Sequence, residues 1–198
     1  MSLATFLSLM AFSFVSSVTP GPNNIMLFAS GVNFGLRRTW PHAFGIAFGF
    51  GVLLGAVGAG LGVLIDQYPQ SKLVLKVLGG SYMLYLAWKI ANAGPVEVKE
   101  GAARPMRFYE AALFQWVNPK AWVMAISAMT AYTAEGDYSV NVGIVVFAFV
   151  VVNFPSVTIW AAFGQLMRDW LSDPKRLRIF NVGMALALVA SLWPILLV

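Results

Sequence analysis

Runs of about 20 apolar residues recur along this chain at 3–29, 43–65, 73–91, 111–132, 140–167 and 179–198. Each is long enough, at about 1.5 Å per residue, to cross a hydrocarbon core of roughly 30 Å. No other feature constrains the fold so strongly, because lipid offers no partner to a backbone N–H or C=O and each crossing must satisfy its own, which a helix does. Composition agrees: 59% of the 198 residues are hydrophobic and only 11% are charged, against about 25% charged in an ordinary soluble domain. The expected fold is an all-α integral membrane protein of six transmembrane helices, forming a single transmembrane domain over 1–198. The one long connection, at about 92–108, leaves no room for a soluble enzyme module.

The apolar start precedes Ser16, Ser17 and Thr19 but lacks the basic n-region of a secretory signal, so it is expected to be retained. The chain has no cysteine, which excludes disulfides and thiolate metal sites and says little about compartment. The net charge of +5 is no nucleic-acid footprint, because the basic residues fall in particular loops. The odd-numbered loops hold Arg37, Arg38, Lys89, Lys99, Arg104, Arg107, Arg168, Lys175, Arg176 and Arg178, and the even-numbered ones only Lys72 and Lys76. The positive-inside rule then places the odd loops in the cytoplasm and both termini outside. Trp40, Trp88, Tyr109 and Trp170 are expected at the inner interface, and Tyr68, Tyr132 and Tyr138 at the outer one. Should the first span turn back without crossing, five spans remain and the N-terminus moves inside.

Prolines interrupt three of the spans. In "TPGPNN", residues 19–24, Pro20 and Pro22 lack an N–H and would leave the carbonyls of Ser16 and Val18 without helical partners. Pro119 in "QWVNPKAW" does the same to Gln115, and Pro155 in "VNFP" to Val151. The first break lies near mid-membrane, where a cavity must reach the freed groups if water is to satisfy them. Pro20 and Pro119 stand 99 residues apart, half the chain. Three spans per half forces the halves to run in opposite directions, giving two inverted three-helix repeats, about 1–98 and 99–198, with helices 1 and 4 broken. Interrupted helices at matching places in inverted repeats point to a mid-membrane transporter site.

The half-helix beyond each break presents N–H groups and a partial positive charge, which suit a carboxylate. The freed carbonyls and the amide oxygens of Asn23, Asn24, Asn118 and Asn153 suit an ammonium group. A small zwitterion fits both ends. Lys120 lies roughly 13 Å into its span by helical rise, at a depth where a lysine costs about 2.5 to 3.5 kcal/mol. It either faces a wet cavity or a partner, or snorkels along its stem to the inner interface. Gln115 and Asn118 share a helix face, and in an unbroken helix Lys120 would point away from it.

Other features have plainer readings. The pairs Gly45/Gly49, Gly51/Gly55 and Gly58/Gly62 have small-xxx-small spacing and are read as helix packing, within one chain or across a homodimer. His42 is placed at the mouth of the second span as an interfacial residue in preference to a proton relay. Tyr82 and Tyr85 either line a path or pack. All eight acids, Asp66, Glu97, Glu100, Glu110, Glu135, Asp137, Asp169 and Asp173, fall in loops or at span ends. A proton-driven carrier would then use Lys120, His42, an interfacial acid or its substrate as relay. No GxxxxGK[ST] motif occurs, so ATP hydrolysis is not expected, nor is any cofactor or metal.

"TPGPNNIMLFASGVNFGLRRTWPHAFGIAFG", "LKVLGGSYMLYLAWKI" and "FQWVNPKAW", in that order over nearly the whole chain, resemble the signature segments of the LysE/RhtB superfamily of bacterial amino-acid exporters. The resemblance implies an inner-membrane exporter whose substrate path runs by Pro20, Gly21, Pro22, Asn118, Pro119 and Lys120. Relatives that export lysine, homoserine or threonine look as if they carry aspartate after PGP, where this chain has Asn23. The subgroup that exports cysteine and O-acetylserine resembles this chain in showing PGPNN, which implies a small neutral substrate. Lack of that aspartate also removes a partner for a cationic substrate.

Three function classes follow. The leading one is secondary-active export of small neutral amino acids across the bacterial inner membrane by alternating access, with Pro20, Gly21, Pro22, Asn23, Asn24, Gln115, Asn118, Pro119, Lys120 and Asn153 at the site and lipid as the surroundings. A channel-like pore for small solutes is the second. An intramembrane enzyme is the third, and the absence of a carboxylate or histidine at depth argues against it.

Overall fold

A computed structural model describes residues 1–93, 104–134 and 136–191. Glu97, Lys99, Glu100, Glu135, the border between the two expected repeats and the end of the expected sixth span lie outside the described residues.

Every regular element among these residues is a helix. Proline chemistry sets the main boundaries. A residue that precedes proline is pushed out of the helical region. Accordingly Thr19 (ψ 136°), Gly21 (φ −174°, ψ −179°) and Asn118 (ψ 108°) are extended. Helix α1 (Leu3–Val18) therefore stops before Pro20, and α2 (Pro22–Phe34) starts at Pro22 with its axis turned by 55°. Likewise α6 (Phe108–Phe114) gives way to α7 (Pro119–Tyr132), with proline at the first helical position, where its missing N–H has no helical partner to lose.

Between these pairs lie α3 (Leu36–Ala56), α4 (Gly62–Gln67) and α5 (Pro69–Ala91), and α8 (Tyr138–Leu166) and α9 (Pro174–Ala190) follow. The turn Val57–Leu61 joins α3 to α4 through a π-type kink in which Gly60 takes φ 102°, a conformation glycine adopts without strain. Among the described residues α3 with its kinked extension and α8 are long and apolar enough to cross a membrane, and the pair α1–α2, bent by 55°, is so when taken as one span.

The structure differs from expectation at Pro155. Helix α8 runs continuously through it. Pro155 withholds one donor, from the Val151 carbonyl, and the ladder continues on either side; the hydroxyls of Ser156 and Thr158 donate to the Val152 and Phe154 carbonyls, both at 2.7 Å.

Polarity is distributed as lipid requires. Phe44, Phe48 and Val52 on α3, Val74 and Leu78 on α5, and Phe147 and Val151 on α8 are exposed, while Ser17, Asn24, Gln115, Asn118, Asn153 and Asn181 are buried. In water the reverse would hold. Backbones approach closely where α2 meets α8: a Cβ on Gly31 would collide with the Ala161 carbonyl, and one on Gly164 with the Phe28 carbonyl. Gly45 and Gly49 likewise seat α3 against Phe108 and Ala112 of α6. A Cβ on Gly55 would meet nothing within this chain.

The broken pairs exchange partners. Unbroken α8 packs on α1 and α2, and unbroken α3 packs on α6 and α7. The odd-loop segments converge at one end of the bundle, where Leu36 N donates to Gln165 Oε1 at 2.6 Å and Val32 packs on Leu171 and Leu177. The opposite end gathers Ser8 with Tyr132 and Tyr138 with the Gly58 carbonyl.

Candidate functional site

At the first break every carbonyl from Ser17 to Thr19 finds a partner outside a helical ladder. Ser17 O accepts from Asn24 Nδ2 at 2.9 Å, and Val18 O accepts from Trp160 Nε1 at 3.2 Å. Thr19 O accepts from Asn24 Nδ2 at 2.8 Å and from Lys120 Nζ at 2.6 Å. The N-terminus of α2 carries no side-chain cap.

The second break closes on itself. The N–H groups of Gln115, Trp116, Val117 and Asn118 each reach back three residues, at 3.3, 3.1, 3.1 and 3.4 Å. Asn118 then caps α7, its Oδ1 accepting from Lys120 N at 3.2 Å and its carbonyl from Ala121 N at 3.0 Å. The expectation of free N–H donors at both half-helix starts is thus met differently: α7 spends donors on its own cap, and α2 has none spent on a side chain.

The two breaks meet. Asn23 Nδ2 donates to Gln115 Oε1 at 2.8 Å and Gln115 Nε2 donates to Asn23 Oδ1 at 3.1 Å, a reciprocal amide pair joining α2 to the end of α6. Between the breaks lies a cavity of about 20 Å³ lined by Gly21, Asn23, Asn24, Gln115, Asn118, Lys120 and Asn153. Pro20, Pro22 and Pro119 do not line it; they make the turns that let the others do so. The break also settles the direction of Lys120, which lines the same cavity as Gln115 and Asn118. It is half-buried, and among the described residues no carboxylate pairs with it.

Asn153, 4% exposed, donates from Nδ2 to Ser17 Oγ at 3.1 Å while its Oδ1 has no partner. A buried acceptor left open beside a lysine ammonium is an arrangement that a molecule with one cationic and one anionic end can satisfy. At about 20 Å³ the cavity admits a water, so a larger guest requires the breaks to move apart.

Sequence reasoning passed over Ser16, Ser17, Phe50, Ala121, Met124 and Val157, which complete the wall among the described residues. The serines stood out as polar groups in an apolar helix; the others carry no local signal. His42, placed by sequence at the interface, is 1% exposed and buried in the bundle. Tyr82 packs on Phe114, with centroids 5.7 Å apart.

Comparison with known proteins matches residues 14–191 to the family described as "LysE type translocator". Cysteine/O-acetylserine efflux proteins of Escherichia coli (strain K12) and Shigella flexneri are 28% identical to the chain over 181 residues, 90% of it and 90% of each. The protein of that description from Klebsiella pneumoniae subsp. pneumoniae is 28% identical over 163 residues, 80% of this chain and 81% of its own. No solved structure matches.

Proposed function

The chain belongs to the LysE type translocator family, and from that premise we propose that it exports small neutral amino acids or their derivatives across the bacterial inner membrane by alternating access. It is an amino-acid transporter and not an enzyme. The substrate sits between the two breaks. One observation carries this reading: the central cavity holds an ammonium without a carboxylate, on Lys120, and a buried acceptor without a donor, Asn153 Oδ1. The substrate carboxylate binds Lys120 and the uncapped start of α2. Its ammonium binds Asn153 Oδ1. Among the described residues no carboxylate lines the cavity, which disfavours a second positive charge on the substrate.

Six spans in two inverted repeats accord with the exchanged packing, in which α8 clasps α1–α2 as α3 clasps α6–α7. The convergence of the basic odd loops at one end supports a cytoplasmic placement for them and both termini outside. The small volume, about 20 Å³, favours a carrier over an open pore.

The test is counterflow in liposomes holding the purified protein, with cysteine, O-acetylserine and the common amino acids followed by mass spectrometry. Saturable exchange of a few small neutral amino acids, weakened about ten- to hundredfold in Lys120→Ala by loss of a charge-assisted bond of about 1.5 to 3 kcal/mol, is the expected result. Folded protein that exchanges no amino acid overturns the reading, and unsaturable flux selects the pore.

A further inference from the structure

A second cavity, of about 80 Å³, opens at the odd-loop end between α2, α3, α5 and the segment leading into α6. Its floor holds two unsatisfied side chains. His42, 1% exposed, has no partner at Nδ1 or Nε2, and Asn33, 5% exposed, has none at Oδ1. The Asn33 amide nitrogen is already used, donating to Ala29 O at 2.7 Å and Asn181 Oδ1 at 3.2 Å. At the mouth stand Lys89 and Arg104, both exposed. Arg104 is engaged by Glu110 through bonds of 2.8 and 2.6 Å. Lys89 lies over the Tyr85 ring at 5.6 Å, and among the described residues no carboxylate pairs with it.

We propose that this cavity is a second binding site, for a small zwitterion entering from the odd-loop side. Asn33 Oδ1 and one His42 ring nitrogen, both acceptors at the floor, receive its ammonium, and Lys89 at the mouth receives its carboxylate. Buried polar groups are nearly always partnered, and the open Asn33 Oδ1 and the unprotonated His42 nitrogen, on two residues that line one cavity, call for a ligand with donors at its inner end, while the other His42 nitrogen carries a hydrogen and calls for an acceptor. The site lies on the same route as the central one. Asn23, Met26, Ser30 and Asn33 fall at i, i+3, i+7 and i+10, one face of α2. Asn23 lines the central cavity and the other three line this one. Met26 and Phe114, 5% and 1% exposed, pack in one cluster between them, so solute passing from one station to the other must displace that pair.

This inference rests on the proposed transport of amino acids. Its test is equilibrium binding of 35S-labelled cysteine, under reducing conditions, to the full chain in lipid nanodiscs. The wild type is expected to bind two molecules per chain and Lys120→Ala one. Asn33→Leu combined with His42→Phe is expected to remove the molecule that Lys120→Ala retains. Lys89→Gln, at an exposed position that does not burden the core, should weaken that same molecule about tenfold. Cysteine bound once per chain, lost in Lys120→Ala and untouched by the Asn33, His42 and Lys89 changes, makes the cavity a water-filled void and overturns this inference alone. No binding to folded wild-type protein overturns the amino-acid reading with it.

Discussion

The two breaks use the same residue and solve its cost in opposite ways. After Gln115 the chain repairs itself: four backbone N–H groups bond three residues back, and Asn118 caps the helix that follows. After Val18 the repair is shared: Asn24 of the same segment holds the Ser17 and Thr19 carbonyls, while Lys120 and Trp160 from distant helices hold Thr19 O and Val18 O, and Gln115 pairs with Asn23. A break satisfied within its own segment survives motion of its neighbours. A break satisfied by neighbours senses where they are. Under the proposed function the second break would serve as the fixed frame and the first as the part that registers substrate, because a carboxylate arriving at Lys120 would compete with the Thr19 carbonyl for the same ammonium.

Several changes can break this contrast. The largest effect is expected from Lys120→Ala, which should abolish most exchange while leaving the thermal midpoint in nanodiscs close to wild type, since a half-buried charge is removed with its bond; collapse of the fold in that variant would put the lysine in the frame. Gly79→Ala comes next, because its Cβ would meet the Val117 carbonyl inside the second break. An overpacking cost of about 1 to 3 kcal/mol, read by denaturation, is expected to exceed that of Gly80→Ala, whose Cβ meets nothing. Asn118→Ala should cost about 1 kcal/mol as a lost helix cap, with affinity changed less than stability. If the two fall together, the self-contained picture of this break is wrong.

The smallest effect concerns the approach to the second break. The Arg104 guanidinium holds the Glu110 carboxyl down at about 2, well below its ordinary value of 4.5. Such a depressed carboxyl contributes stability that is whole above pH 4.5 and lost as the pH falls toward 2. With Arg104 44% exposed, the contribution is under about 1 kcal/mol. Glu110→Gln should flatten that part of the stability profile and leave exchange at neutral pH unchanged.

Much of the candidate site was legible because proline acts locally: Pro20, Pro22 and Pro119 each remove a donor wherever they stand, and each forces its predecessor out of the helix. Pro155 carried the same signal and no break: α8 runs through it, so whether the helix continues past a proline is decided beyond the proline itself. Phe50, Met124 and Val157 were illegible, since nothing distinguishes them from other apolar residues of a span. His42 was misplaced because its position near the end of an apolar run does not tell which side of the helix α5 and the segment before α6 will cover.

Alone, the sequence determined what depends on a residue and its immediate neighbours: apolar runs of membrane-crossing length, three places where proline withholds a donor, the asymmetry of basic loops and the absence of acids from those runs. Tertiary structure decided which break supplies the other's hydrogen bonds, where the Lys120 ammonium points, and that Asn33 and His42 end up unpartnered at one cavity. Those outcomes depend on helix faces meeting across separations such as the 101 residues between Thr19 and Lys120. Helical periodicity assigns a residue to a face, and only packing assigns a face to a partner.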